Sequence, residues 1–222
     1  MHLLRPILGA AVAALFVPQA AQAAALMPLG PCYRSVDADN REAVPVRGEG
    51  FTPGQMVTVS IDGQIVQEGI RVRSDGTVVG AVSAPYQGSG ERPFTLTVAE
   101  NDTPVNTATV ASRVTALGMR LKPRRAKPSR KVRFIGRGFI DTPEHVVYAH
   151  YVRGGKLRRT VRLGVAQGPC GRIDVKRRQF PVRKPRVGRW TLQVDNLSTY
   201  SAVPISVVVR IPIDVKKSYP RL

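Results

Sequence analysis

Apolar and polar residues alternate along much of this chain, and the alternation has a period of two. Across residues 55–62, Val57, Val59 and Ile61 alternate with Thr58, Ser60 and Asp62, the pattern of a half-buried strand. Phe94, Leu96 and Val98 alternate with Thr95 and Thr97, and Trp190, Leu192 and Val194 with Thr191, Gln193 and Asp195. Val161, Leu163 and Val165 are expected to face one way and Arg162 the other. Asp62-Gly63, Asp75-Gly76, Gly154-Gly155 and Gly168-Pro169 punctuate these runs as turns, with Asp62-Gly63 and Gly154-Gly155 placed where hairpins would close. Beyond the first 23 residues no stretch has a helical period. Few aromatics and many Gly, Pro, Val and Thr favour strands and turns in the same way.

The pattern occurs twice. Val46-Arg47-Gly48-Glu49-Gly50-Phe51 is echoed by Phe134-Ile135-Gly136-Arg137-Gly138-Phe139, and the Phe94 strand is echoed by the Trp190 strand. The offsets are 88 and 96 positions, so the second copy carries longer loops. Short strands separated every 8 to 12 residues by turns predict an all-β fold, read here as two tandem immunoglobulin-like β-sandwiches. The phrase Gly48-Glu49-Gly50-Phe51-Thr52-Pro53-Gly54 resembles the first-hairpin signature of bacterial immunoglobulin-like modules of the TIG (IPT) type. The second copy keeps Gly136-Arg137-Gly138-Phe139 without the Pro-Gly. The resemblance implies the fold; such modules occur in surface, adhesive and enzyme-appended settings, so it implies no activity.

At the N-terminus, Arg5 precedes an apolar run over residues 7–17, and small residues stand at Ala21 and Ala23. This predicts a cleaved signal peptide over residues 1–23, because the run is shorter than the roughly 20 residues a membrane span needs. The expected units are then residues 24–112 and 113–222, in a secreted or cell-envelope-associated protein without a transmembrane anchor.

Charge separates the two units. Residues 24–112 hold 6 Lys+Arg and 10 Asp+Glu, net −4, whereas residues 113–222 hold 27 and 5, net +22. A genome-wide taste for arginine does not explain this, since the first unit comes from the same gene. An excess of this size costs self-repulsion that a polyanion would relieve, although a solvated surface that merely keeps the chain soluble is the alternative. The basic residues cluster at Arg124, Arg125, Arg130 and Lys131, at Arg158 and Arg159, and at Lys176, Arg177 and Arg178. Guanidinium forks suit phosphate, sulfate or carboxylate. The expected partner is a polyanion such as an envelope glycopolymer, acidic polysaccharide, anionic lipid or extracellular DNA. A protein partner bound through a sheet edge is the second possibility. Base-specific recognition is not expected, because no reading helix, zinc finger or set of stacking aromatics accompanies the clusters.

Two cysteines remain after the leader, Cys32 and Cys170. In an exported chain they are expected to pair with each other; free thiols or intermolecular bridges are the alternatives. His145 and His150, five apart on one expected strand, would face opposite sides and could not share a metal. No G-x-S-x-G, H-E-x-x-H or Walker motif is present. The five acids of the second unit sit among arginines that would hold them ionised. No catalytic residue, cofactor or metal is therefore expected, with a carbohydrate-active enzyme working through paired carboxylates as the alternative, and Trp190 is expected in the core.

Overall fold

A computed structural model describes residues 23–217 except 103–105, 125, 183 and 204–207. All of the expected leader but Ala23 lies outside the described residues. No helix among the described residues is long and apolar enough to cross a membrane.

The first half forms β1 (Ala25–Leu26), β2 (Tyr33–Ser35), β3 (Ala43–Glu49), β4 (Met56–Ile61), β5 (Gln64–Arg71), β6 (Val78–Ser83), β7 (Glu91–Glu100) and β8 (Thr107–Ala116). The second half forms β9 (Gly118–Lys122), β10 (Lys131–Arg137), β11 (Val146–Arg153), β12 (Lys156–Val165), β13 (Ile173–Arg178), β14 (Gly188–Asp195) and β15 (Val209–Val215). The sheets are ordered β1-β3-β6 and β2-β8-β7-β4-β5 in the first half, β9-β10-β13 and β15-β14-β11-β12 in the second. Apart from the added parallel strand β2, the pairing order is the same in both halves, and both are immunoglobulin-like sandwiches. β8 belongs to the first sandwich and β9 to the second, with Leu117 alone between them.

The alternating residues fill the space between the sheets. Val57, Val59, Phe94, Leu96 and Val98 are buried with Val44 and Val46 in the first core. Phe134, Tyr151, Leu163, Trp190, Leu192 and Val194 are buried in the second. Trp190 meets the Phe180 ring edge-on at 5.4 Å, and its indole N–H donates to the Arg186 carbonyl at 2.8 Å. The Tyr151 hydroxyl donates to the Gln179 carbonyl at 2.8 Å, and burial pushes its phenol pKa up. Val165 departs from its expected alternation. It is exposed, because β12 is an edge strand with register shifts and ends just past Gly164.

The repeated glycines have one physical cause in both halves. A Cβ on Gly48 would lie 2.8 Å from the Phe51 ring, and one on Gly136 would lie 2.8 Å from the Phe139 ring. The second glycine of each motif has a left-handed φ, 78° at Gly50 and 82° at Gly138. The motif thus turns the chain and lets the phenylalanine close over the strand that precedes it.

Among the described residues, a disulfide, an ion pair and a hydrogen bond to the linking Leu117 tie the sandwiches together. The expected bridge between Cys32 and Cys170 is present, with Cα atoms 5.3 Å apart. Two residues further on, the Arg34 guanidinium donates to Asp141 of the second sandwich, and both side chains are largely buried. The Leu117 N–H donates to the Ser35 carbonyl at 3.2 Å. Cys32, Arg34 and Ser35 all belong to the short segment around β2, so one stretch of the first sandwich makes all three contacts.

Candidate binding face

Strand register decides which cations share a surface. In β10, Val132, Phe134 and Gly136 are buried, so Lys131, Arg133, Ile135 and Arg137 point outward. Directly paired residues of antiparallel strands lie on the same face. Lys131 pairs with Arg178, Arg133 with both Lys176 and Lys122, and Ile135 with both Asp174 and Arg120. The outer face of β9-β10-β13 therefore carries Arg120, Lys122, Lys131, Arg133, Arg137, Lys176 and Arg178 against one acid, Asp174. Neighbouring strands are about 4.8 Å apart and same-face residues about 7 Å apart along a strand.

Asp174 is committed within the face. Both of its carboxylate oxygens accept from the Arg133 guanidinium, and this bonding holds the carboxyl below its ordinary range. The other six cations of the face make no ion pair among the described residues. Arg137 is half-buried near the Gly90 loop of the first sandwich, so the face begins at the joint.

The same register in the first sandwich shows what the fold itself requires. There the outer face of β1-β3-β6 carries Ala25, Ala43, Pro45, Arg47, Glu49, Val79, Ala81 and Ser83. One Arg and one Glu stand where the second sandwich has seven cations and one acid. Equivalent strands fold without the cations, so sheet formation does not explain them.

The sequence-predicted residues divide accordingly. Lys131, Lys176 and Arg178 fall on the basic face. Arg177 pairs with buried Val132 and so projects from the other side of β13, where its guanidinium donates to the Lys176 carbonyl at 3.2 Å. Arg124 and Arg130 are exposed in the loop between β9 and β10, and Arg125 lies outside the described residues. Arg158 and Arg159 are exposed on β12, in the other sheet; Arg158 is the unpaired residue of a bulge and Arg159 pairs with Tyr151. Reading clusters by adjacency missed Arg120, Lys122, Arg133 and Arg137; cations at alternate positions of Lys131-Val132-Arg133 and Arg120-Leu121-Lys122 were the signal for all of these but Arg137.

The histidines lie elsewhere. His145 sits in the turn before β11 with φ 48°. His150 is fully buried on β11: its Nδ1 is 2.9 Å from the Thr160 hydroxyl, and its Nε2 is 3.2 Å from Asp195 Oδ1 and 3.0 Å from the Leu197 carbonyl. Both neighbours of Nε2 are acceptors, so that nitrogen carries a proton. Asp195 also accepts from the Leu197 N–H at 2.9 Å and from the Gln193 amide at 3.1 Å. The cluster pins the segment after β14 against the sheet. Asp195→Ala is expected to destabilise the protein by about 3 kcal/mol, since it removes three hydrogen bonds to a buried carboxylate and leaves the Leu197 N–H without its acceptor; urea unfolding measures this. A loss below about 1 kcal/mol would show that water replaces the carboxylate.

No protein-family model and no curated protein matches this sequence. Among solved structures, the chain is similar to a protein of Corynebacterium diphtheriae described as membrane anchored, at 8% identity and a TM-score of 0.33, covering 78% of this chain and 54% of that one. It is also similar to a tetra-tandem repeat from the extending region of a large adhesion protein, at 14% identity and a TM-score of 0.27, covering 87% and 50%. A third similarity is to the FN1–FN3 domains of chicken CNTN1, at 10% identity and a TM-score of 0.27, covering 86% and 64%. The chain spans about half the length of the first two. With all three TM-scores below 0.5, the fold assignment rests on the strand order and not on these likenesses.

Proposed function

We infer that this is an exported, non-catalytic binding or scaffolding protein of the cell envelope, whose second sandwich associates with a polyanion. In this reading residues 1–23 are a signal peptide, the two sandwiches, which meet at Leu117 and not at the expected 112/113 division, are tandem units of the TIG (IPT) type, and the protein works outside the cytoplasm. The observation that carries it is the state of the few acids in the second sandwich. Asp141 is taken by Arg34, Asp174 by Arg133 and Asp195 by His150, and Asp214 is 3.8 Å from Arg189. Among the described residues, most of the cations of this half make no ion pair.

Retention on immobilised DNA, polyphosphate and a sulfated polysaccharide tests the reading. Charge reversal of Arg158, Arg159, Lys176, Arg177 and Arg178 to Glu is expected to abolish retention at about 0.15 M salt. Unchanged retention would overturn it.

A second reading, protein–protein contact, is supported by β5. It is an edge strand whose residues are exposed except at Ile70, and it presents Ile65 and Val66 to solvent. It predicts a partner whose capture is insensitive to salt.

A further inference from the structure

Resting on the polyanion reading, we propose that the outer face of β9-β10-β13 is the contact surface, and that its ligand is a flexible, single-chain phosphate polymer recognised through its backbone. Three features of the face carry this.

The first is spacing. Lys131, Arg133 and Arg137 descend one strand, flanked by Lys122 and Arg120 on β9 and by Arg178 and Lys176 on β13. Each row across the three strands therefore carries at least one cation, with rows about 7 Å apart, in a stripe about 10 Å wide. A linear chain with an anion on every repeat unit can pair with successive rows. A polysaccharide charged only on every second sugar leaves rows unmatched, and a stripe about 10 Å wide suits a single chain better than a duplex.

The second is chemistry. Three of the six free cations, Arg120, Arg137 and Arg178, are arginines, whose planar forks bind phosphate oxygens in pairs. The third is what the face lacks. Its one apolar residue is Ile135, and no aromatic lies on it, so bases or sugar rings have nothing to stack on. Affinity should follow the phosphate backbone and ignore what hangs from it. The bare outer face of the first sandwich, built on the same strand order, argues that these cations are not required by the fold.

The test uses inorganic polyphosphate as the probe and two triple variants of the whole protein with equal loss of charge. One removes Lys131→Gln, Lys176→Gln and Arg178→Gln from the face; the other removes Lys156→Gln, Arg158→Gln and Arg159→Gln from β12. All six side chains are exposed, and unchanged melting temperatures check that both variants fold. The face variant is expected to lose at least tenfold in affinity at about 0.15 M salt and to flatten the salt dependence by about 2 units of slope, with the β12 variant within threefold of the parent. Single-stranded DNA of mixed sequence and a homopolymer should bind alike, and a carboxylated polysaccharide of equal length at least tenfold more weakly. An equal or larger loss in the β12 variant would overturn the assignment of the face while leaving polyanion binding intact. Equal binding of the carboxylated polymer would overturn the phosphate assignment. Tighter binding of anionic vesicles than of either polymer would replace a chain with a surface as the ligand. No binding of any probe by the parent protein would remove the polyanion reading itself.

Discussion

Replacing both cysteines, as Cys32→Ser with Cys170→Ser, is expected to remove up to about 5 kcal/mol of stability. The bridge spans 138 positions, and in the chain-entropy model a loop of that length restricts the unfolded chain by roughly that amount. The figure is an upper value, because structure retained in the unfolded chain lowers the loop-closure cost. The double change avoids leaving one buried thiol free to form mixed disulfides. Urea unfolding of the parent protein with and without reductant measures the same quantity without mutation. A clear fall in midpoint is predicted both on reduction and in the double variant; coincident curves would mean that the bridge does not form or does not constrain the chain.

Gly171→Ala is the second large effect. Gly171 has φ 58°, and a Cβ there would lie 2.4 Å from the Phe139 carbonyl oxygen. The left-handed conformation alone costs about 1 to 2 kcal/mol for a residue with a side chain. The clash adds to this because it involves backbone, and that backbone is tied down: Gly138 N–H donates to the Cys170 carbonyl at 2.9 Å and Phe139 N–H to the Gly171 carbonyl at 3.3 Å. A loss of about 3 kcal/mol or more is expected. Gly155→Ala is the control. Its φ is 71°, yet nothing lies within reach of a Cβ, so it should lose only the conformational part. Equal losses in the two variants, measured by thermal or urea unfolding, would contradict the packing described around Phe139.

Much of the fold was legible because alternation and burial have the same cause. Val57, Val59 and Ile61 had to face one way, and the repeated G-x-G-F phrase had to mean a repeated local structure. Its reason became visible only with the rings of Phe51 and Phe139 in place. The short parallel strand β2 was not legible, since three residues carry no period. The binding face was half legible. A run such as Lys176-Arg177-Arg178 looks like one cluster in sequence, but a strand sends Arg177 to the opposite side from its neighbours. Arg120 and Lys122, far from that run in sequence, reach the same face as Lys176 and Arg178 through the register of β9 and β13 on β10. Pairing is non-local information that composition and spacing do not contain. The absence of such a stripe from the first sandwich is equally a statement about register.

The central claim is that the basic surface of the second sandwich binds a polyanion and is not simply solvated. The most direct measurement is the affinity of the purified protein for inorganic polyphosphate as a function of salt, from about 0.05 to 0.3 M. Six free cations on the face predict a slope of log K against log salt near −4, with binding that persists at about 0.15 M. Affinity that has vanished by that salt, where surface charges are screened over about 8 Å, would mean that the charge has no dedicated partner.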